Sequence, residues 1–547
     1  MKNKIVYFLF FIVVVIASFL RLFQLGNVPI SPDWDEVALG YNAYSIMATG
    51  KDEYGKYIPI VLRSFDDYKP ALYTYLIMPF IKMFGLTTFA VRLPSAIFGI
   101  ITVISVYFLV SELFKKSSIA LLTSFLLAIS PWHIQFSRIA FESNVGLALN
   151  VLVALFFLKG LKNPFYLLLS AFLAGANLYV YQSEKVFTPL LITALIFIFK
   201  KEILLLPKKY IIFSVLIGLV VISPMAKYMI TTKEALTRAQ GVSIFSNEAE
   251  FLKNNVQRVL EDTKNHDFIG LALDNRRLFY FKSFAEGYLS HFNLNWLFIS
   301  GDLGRHHAPG MGLLYLWELP FFLIGIYALI FGNFSKKIKL LLFCWFAIAP
   351  IPASITSGVP HAVRTLNFLP TFQIFIAVGL LTFFNSVVSR RMRYLALIVF
   401  VLFFIFNFSY YLDQYFVQQN YFNSREWQYG YKDVVYKIKE IQGKYKKIIV
   451  SNQPFMDQSY MFFLFYLKYS PIEYQSESQF ASGGFKENHR FGKFEFRPID
   501  WNTDSKTKSN TLFVGREDDF PQNDSGHVKT VYFLDGSPGI KLVEILR

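Results

Sequence analysis

The fold of this chain is decided near its N-terminus, where residues 5–25 read IVYFLFFIVVVIASFLRLFQL and residues 32–36 read PDWDE. The first stretch is long and apolar enough to cross a bilayer, because a helix of about 20 residues spans the hydrocarbon core. The adjacent carboxylates Asp35 and Glu36 are therefore expected to emerge at the far face of the membrane. The alternative interpretation of this pair is a solvated loop or a helix cap at Asp35.

Composition indicates a membrane protein with many spans. Of the 547 residues, 54% are hydrophobic and 17% are charged, and the apolar residues occupy many segments rather than one signal peptide. The net charge of +16 comes from Lys and Arg gathered at segment ends, which indicates membrane topology and argues against nucleic-acid binding. The single cysteine, Cys344, excludes an intramolecular disulfide and a cysteine metal cluster.

Apolar segments recur along the chain, and we predict a polytopic α-helical protein with about eleven transmembrane helices. Basic clusters recur at every second turn, as at Lys115 and Lys116, and the positive-inside rule places these clusters and the N-terminus in the cytoplasm. An odd number of spans leaves the C-terminus outside the plasma membrane. The expected spans are residues 5–25, 88–114, 119–130, 145–158, 164–180, 186–199, 210–228, 313–331, 340–355, 368–384 and 394–411.

Two long loops, residues 26–87 and 229–312, and the C-terminal residues 412–547 fall on the external side of this topology. We therefore predict a transmembrane catalytic domain over residues 1–411 and an external soluble α/β domain over residues 412–547. Long connections between spans usually carry function, so chemistry is expected outside. Within the first loop, residues 37–48 have the spacing of a short amphipathic helix, and residues 70–84 predict an interfacial helix or half-span.

Several short motifs share the external side of this topology. They are Asp35-Glu36, Lys69-Pro70-Ala71-Leu72, Arg92-Leu93-Pro94-Ser95-Ala96, Ser130-Pro131, Ser137-Arg138 with Glu142, Gly301-Asp302 with Arg305-His306, and His361 with Arg364. In this order they resemble the membrane glycosyltransferases of the GT-C superfamily, in particular relatives of dolichyl-phosphate-mannose protein mannosyltransferases and bacterial aminoarabinose transferases. The resemblance covers most of residues 1–230 and weakens afterwards. Ala71 departs from the family, whose members commonly have a second proline there.

The resemblance implies transfer of a sugar from a polyprenyl-phosphate carrier to an acceptor on the external face. Such a reaction needs a base, because the acceptor hydroxyl must lose its proton as it attacks the anomeric carbon. Asp35 is the expected base, and a single displacement would invert the anomeric carbon. Glu36 lies about 100 degrees away on a helix, so it is expected to orient a neighbour or to bind sugar hydroxyls.

A departing lipid phosphate needs fixed positive charge at the membrane boundary. The outward-facing candidates are Lys69, Arg92, Arg138, Lys185, Arg305 and Arg364. We expect Lys69, Lys185 and Arg305 to contact the carrier, and Arg138 to form a structural or sugar-site ion pair with Glu142. The alternative for each cation is a snorkelling side chain that anchors the end of a span.

Histidines supply the remaining site candidates. His306 and His361 are expected to bind the phosphate or to line the lipid groove. No residue is assigned as a required metal ligand, although a divalent cation held by Asp302, His306 and Asp35 remains open. Asp66 is a candidate for binding the acceptor or a metal, with a solvated turn as the alternative.

Two other classes of protein are compatible with the composition. A transporter or flippase would line a path with intramembrane charges and broken helices, whereas this chain has few charges at mid-span and no evident internal repeat. A non-catalytic envelope assembly scaffold would not require the charged residues of the first loop. The expected partners are a polyprenyl-phosphate sugar donor, the lipid bilayer and a protein or glycan acceptor. The sequence identifies neither the donor sugar nor the acceptor.

Overall fold

The computed structural model describes residues 2–65, 67–232, 252–477, 488–521 and 526–546, and over these residues the chain is mainly helical. It forms two compact units, which are described separately. We call Met1–Leu20, Phe98–Phe136 and Glu142–Phe408 the helical unit, and Arg21–Ile97, Ser137–Phe141 and Ser409–Arg547 the mixed unit.

Helices dominate the first three quarters of the chain. In chain order they are α1 (Lys2–Leu22), α2 (Trp34–Thr49), α3 (Leu72–Phe84), α4 (Thr88–Phe114), α5 (Ser117–Ile129), α6 (Pro131–Ser137), α7 (Glu142–Gly160), α8 (Phe165–Asn177), α9 (Glu184–Ile198), α10 (Lys200–Leu204), α11 (Lys208–Thr231), α12 (Lys253–Lys264), α13 (Phe268–Leu273), α14 (Arg276–Ser290), α15 (Glu318–Phe331), α16 (Lys336–Ile348), α17 (Ile351–Ser354), α18 (Thr371–Ser386) and α19 (Arg390–Asp413). The C-terminal helices are α20 (Gln419–Phe422), α21 (Tyr431–Ile441), α22 (Ser459–Leu467), α23 (Pro471–Glu477) and α24 (Trp501–Asp504).

Each of the eleven expected spans coincides with one of these helices, which confirms the predicted fold class. Among the described residues, seven helices are long and apolar enough to cross a bilayer, and the pair α5 and α6, bent by 59°, makes an eighth candidate. Three expected spans correspond to shorter helices: α8, α9 and α15 have 13, 15 and 14 residues. At about 1.5 Å per residue these are shorter than the hydrocarbon core, so eleven complete spans remain a prediction.

Helices α15 and α18 of the helical unit pack very closely. A Cβ atom on Gly325 would overlap the carbonyl oxygen of Phe375, and one on Gly379 would overlap that of Phe321. Two backbones can touch in this way only where neither carries a side chain, as small residues allow between membrane helices.

The mixed unit contains two sheets. Strands β1 (Val61–Ser64) and β2 (Asp67–Pro70) form an antiparallel hairpin in which Leu62 faces Lys69. A six-stranded sheet has the order β4-β5-β3-β6-β8-β7, with β3 parallel to β5 and β6 and the other pairs antiparallel. Its strands are β3 (Lys447–Val450), β4 (His489–Phe491), β5 (Phe494–Phe496), β6 (Thr511–Gly515), β7 (His527–Tyr532) and β8 (Pro538–Ile545).

The first loop and the C-terminal residues share this mixed unit. The Tyr41 hydroxyl donates to the Tyr469 carbonyl at 3.2 Å, and Gln475 Nε2 donates to the Asp52 carbonyl at 2.9 Å. Helix α2 is therefore buried on most of its surface rather than amphipathic as predicted, because C-terminal residues cover the face expected to meet water. One boundary between the compact units falls between Phe408 and Ser409, near the predicted one at residue 411, but the mixed unit also contains Arg21–Ile97 and Ser137–Phe141. The predicted division into two domains therefore stays a prediction.

Candidate active site

The start of α2 is fixed by a capping box. Asp33 Oδ1 accepts a hydrogen bond from the Glu36 amide at 2.9 Å, and Glu36 Oε2 accepts one from the Asp33 amide at 3.2 Å. Each carboxylate thus satisfies an amide that the helix leaves unpaired at its first turn. Asp33, and not Asp35, is the cap, which corrects the alternative interpretation of the Asp35-Glu36 pair. The helix begins at Trp34 and places Asp35 in its first turn.

Glu36 is fully buried, and its two oxygens accept four hydrogen bonds. Arg92 donates to both of them, from Nε at 2.8 Å and from Nη2 at 2.8 Å. The Ala140 amide adds a bond at 2.9 Å, and the fourth comes from the capping box. A carboxylate saturated in this way by protein donors has no accessible position for a sugar hydroxyl, so of the two predicted roles the geometry favours orienting a neighbour.

Arg92 is equally buried, and its remaining donors bind backbone. Nη1 donates to the carbonyls of Leu25 at 3.2 Å and Pro29 at 2.8 Å, and Nη2 donates to the Ser31 carbonyl at 2.8 Å. All five N–H groups of a guanidinium are then engaged. The predicted contact between Arg92 and the carrier phosphate has no support in this geometry, which gives the residue a structural role instead.

Asp35 differs from its neighbours because it reaches solvent. Its side chain is 28% exposed, whereas those of Asp33 and Glu36 are buried. Asp35 Oδ1 accepts a hydrogen bond from Lys69 Nζ, and Lys69 lies on β2 of the hairpin. A carboxylate held by an ammonium group and still open to solvent can receive a proton from a bound hydroxyl. The structure therefore brings together two of the predicted site residues, Asp35 and Lys69.

Arg138 is held inside the mixed unit. Its Nη2 donates to the Val28 carbonyl at 3.1 Å, and its guanidinium lies 4.9 Å from the centre of the Phe416 ring, a cation–π contact. Glu142 begins α7 in the helical unit, so the ion pair between Arg138 and Glu142 stays a prediction. Asp66 lies outside the described residues.

The helical unit holds a second cluster, formed by Asp302, His306 and His361. One ligand atom from each lies within 4.8 Å of the others. His306 Nδ1 is 2.9 Å from Asp302 Oδ2, which also accepts from the Ala362 amide at 2.7 Å. His361 Nδ1 is buried and has no hydrogen-bond partner among the described residues. Two of these residues were predicted as site residues, and Asp302 as a possible metal ligand.

Burial and hydrogen bonds shift the pKa values of the three side chains in this cluster. Burial alone would raise the pKa of Asp302, but the bonds from His306 and from the Ala362 amide hold it at about 2. Burial lowers the pKa of His306 and lowers that of His361 further. A carboxylate with two neutral imidazoles is a ligand set suited to a divalent transition metal.

The other predicted phosphate-binding cations of the helical unit are Arg364, Arg305 and Lys185. Arg364 Nη1 donates to Thr356 Oγ1 at 2.5 Å and to the Ser357 carbonyl at 2.8 Å. The backbone carbonyl of Arg305 accepts from Gln135 Nε2 at 2.6 Å. Lys185 is half-buried in the first turn of α9. Their assignment to the phosphate stays a prediction.

Sequence reasoning missed Asp33, although the spacing from Asp33 to Glu36 is the signature of a capping box. It also missed the buried polar cluster beside Lys185. There, Glu184 accepts from Asn150 Nδ2 at 2.5 Å and from Asn367 Nδ2 at 2.8 Å. No sequence signal could have found that cluster, because its members come from distant helices.

The chain is similar in fold to a membrane glycosyltransferase of known structure. The crystal structure of ArnT from Cupriavidus metallidurans bound to undecaprenyl phosphate matches with a TM-score of 0.52 and 12% identity, over 98% of this chain and 97% of that one. The chain has the GT-C fold. A sequence model of the family described as dolichyl-phosphate-mannose-protein mannosyltransferase matches residues 68–228. The predicted resemblance to GT-C glycosyltransferases is thus confirmed.

A second GT-C structure is more distant. The Archaeoglobus fulgidus oligosaccharyltransferase tethered with an acceptor peptide containing the NVT sequon matches with a TM-score of 0.49 and 12% identity. That match covers 85% of this chain and 63% of the oligosaccharyltransferase. Among curated proteins, no sequence matches the chain.

Proposed function

We propose that this chain is a glycosyltransferase that moves a sugar from a polyprenyl-phosphate donor to an acceptor, with inversion, at the external face of the cell membrane. The observation that carries the proposal is the solvent-accessible Asp35 carboxylate paired with Lys69 at the start of a capped helix. The GT-C fold and the undecaprenyl phosphate bound in the ArnT structure support the donor class. The distribution of Lys and Arg supports the external side.

Asp35 is the general base of this proposal. As the acceptor oxygen forms its bond to the anomeric carbon, its proton passes to an Asp35 carboxylate oxygen. The bond between the anomeric carbon and the phosphate oxygen breaks at the opposite face of the sugar, and the polyprenyl phosphate leaves as an anion. The leaving group needs no proton, so one carboxylate is sufficient.

Lys69 serves this reaction in two ways. Its ammonium group fixes the position of the Asp35 carboxylate through a charge-assisted hydrogen bond. It also places a positive charge beside the reacting centre, where negative charge develops on the phosphate. Lys185 and Arg305 remain our candidates for the rest of the phosphate, and an arginine would offer bidentate geometry.

Replacement of the base tests the proposal. Asp35→Asn keeps the size of the side chain but removes its basicity, so transfer from a radiolabelled polyprenyl-phosphate sugar to isolated cell-envelope material should fall by about 10²–10⁴-fold. The matched control is Asp67→Asn, in the hairpin, which should retain transfer. Full turnover by the Asp35 variant would exclude the catalytic assignment and return the transporter and scaffold classes to consideration.

We further propose that Asp302, His306 and His361 bind a divalent cation. The fit rests on their mutual spacing and on the unpaired His361 Nδ1. Such a cation would supply positive charge that holds a phosphate group.

Metal content tests this second proposal. The chain purified without chelator should contain about one transition-metal ion, and His361→Ala should lose it, as measured by mass spectrometry of the elements. His527→Ala, on strand β7 of the mixed unit, should keep the metal. Equal metal content in the two variants would refute the site.

A further inference from the structure

We infer that the mixed unit contains a subsite for one sugar ring of a carbohydrate acceptor, an inference that rests on the proposed function and names its acceptor class. The subsite is a cavity of about 250 Å³ beside the start of α2. Two aromatic rings, Trp34 and Phe455, line it together with the polar side chains of Arg425, Asp457 and Gln458. None of these residues takes part in the contacts of Asp35, Glu36 or Arg92 described above.

The position of the cavity links it to the reaction. Trp34 and Asp35 are consecutive residues in the first turn of α2, with Cα atoms ~3.8 Å apart. The Trp34 amide donates to Gln428 Oε1 at 3.0 Å, and Gln428 is itself part of the cavity wall. The wall is thereby tied to the helix that presents the base. Consecutive side chains on a helix lie about 100 degrees apart, so a ring held against Trp34 would lie one helix face away from Asp35, and a neighbouring part of the same acceptor would reach the base.

The chemistry of the lining fits a sugar. A pyranose has an apolar face of C–H groups and a rim of hydroxyls, and aromatic side chains with convergent polar groups complement both features. Arg425 Cζ lies 5.2 Å from the centre of the Phe455 ring, so its guanidinium offers hydrogen-bond donors next to an aromatic ring of the cavity. Glu426 and Asp457 add carboxylates, and hydrogen bonds between hydroxyls and charged groups are the stronger ones.

The backbone of the cavity wall is unusual. Phe455 has a φ of 59° and Gln428 a φ of 48°, which lie in the left-handed region that bulky residues rarely adopt. Such conformations are strained and cluster at binding and catalytic sites. Two of them line this one small cavity, which agrees with a binding role for its wall.

The size of the cavity favours a carbohydrate over a peptide. A volume of about 250 Å³ lies below the roughly 300–1,000 Å³ of pockets for drug-sized ligands, and it suits a single ring. Peptides bind as strands added to a sheet edge, as helices in long grooves, or as extended proline-rich segments, and a partly open cavity of this size is too small for any of these segments.

A direct binding measurement tests the subsite without depending on glycosyl transfer activity. Methyl α-mannoside, methyl β-glucoside and N-acetylglucosamine are added to the full chain in lipid nanodiscs, and saturation transfer to their ring protons is measured by NMR. At least one sugar should show more saturation transfer with the protein than with empty nanodiscs. Phe455→Ala and Arg425→Ala should each weaken its binding by about tenfold, equivalent to ~1.4 kcal/mol. The controls Tyr532→Ala and Arg490→Ala remove exposed side chains outside the cavity and should leave binding unchanged.

Arg425 is exposed, so its variant is expected to fold even if the Phe455 variant does not. Absence of saturation transfer to every sugar, or equal binding by all variants, would overturn the inference. The inference would also be overturned if the enzyme glycosylated a Ser/Thr peptide, if the KM for that peptide rose in the Phe455 and Arg425 variants, and if no sugar bound. Sugar binding with the predicted variant effects, in a chain that transfers no sugar from any donor, would uphold the subsite and refute only the proposed function.

Discussion

Three carboxylates within four residues, Asp33, Asp35 and Glu36, have three different environments. Asp33 caps a helix, Glu36 neutralises a buried arginine, and Asp35 meets solvent beside Lys69. The sequence alone predicted a separate task for Asp35 from helical geometry, and its spacing contained the capping box. It could not predict the partner of Glu36, because Arg92 is 56 residues further along the chain and only the folded structure brings it near.

The two neighbouring carboxylates provide a matched pair of substitutions. Glu36→Gln leaves the fully buried Arg92 guanidinium without a counter-charge, so we expect a loss of stability of about 3–5 kcal/mol, measured as a lower thermal unfolding midpoint of the purified chain. Asp35→Asn changes a partly exposed group and should shift the midpoint little. A Glu36→Gln protein that is as stable as wild type yet inactive would contradict the structural role and point to chemistry at Glu36.

At the scale of elements, prediction succeeded where it depended on local pattern. Runs of apolar residues located all eleven expected helices. The hairpin β1–β2 was not predicted, since its strands have only four residues each. The burial of α2 was not predicted because Tyr469 and Gln475, which contact this helix and the turn after it, lie over 400 residues further along the chain. The periodicity of a segment gives no information about partners so distant in sequence.

The close pair α15 and α18 makes a prediction about packing. Gly325→Ala places a methyl group against the Phe375 carbonyl and forces the helices apart, at a cost of about 1–3 kcal/mol. Gly218→Ala in α11 is the matched control, because a Cβ there meets no atom within 4 Å. Thermal unfolding of both variants in one detergent checks the difference. Equal midpoints would show that the two helices are not packed through their backbones.

At the scale of the whole molecule, residues 412–547 are not a detached appendage in the mixed unit. Tyr469 and Gln475 bind α2 and the turn that follows it, and Tyr460 Oη lies 3.3 Å from Glu53 Oε2. The C-terminal residues therefore supply part of the environment in which Asp35 is presented. The sequence predicted a soluble α/β region there, and a six-stranded sheet lies in it, whereas its attachment to the first loop depends on long-range contacts.

Removal of residues 412–547 tests this dependence. We expect the amides of α2 to lose protection in hydrogen exchange, because the helix loses the partners that bury it, and transfer activity to disappear with them. Exchange in α18 of the helical unit serves as the internal control and should change less. A truncated chain in which α2 stays protected would instead support an independent external domain with its boundary near residue 411.

The guanidinium of Arg92 has a consequence for biosynthesis. It binds the carbonyls of Leu25, Pro29 and Ser31 as well as Glu36, so the segment between α1 and α2 takes its shape from a side chain and not from a strand or helix of its own. Ribosomes deliver that segment first and Arg92 about 60 residues later. The loop that leads to Asp35 therefore acquires its final form only after the helix carrying Arg92 has been made, so the reactive end of α2 cannot be assembled when α1 and α2 first leave the ribosome.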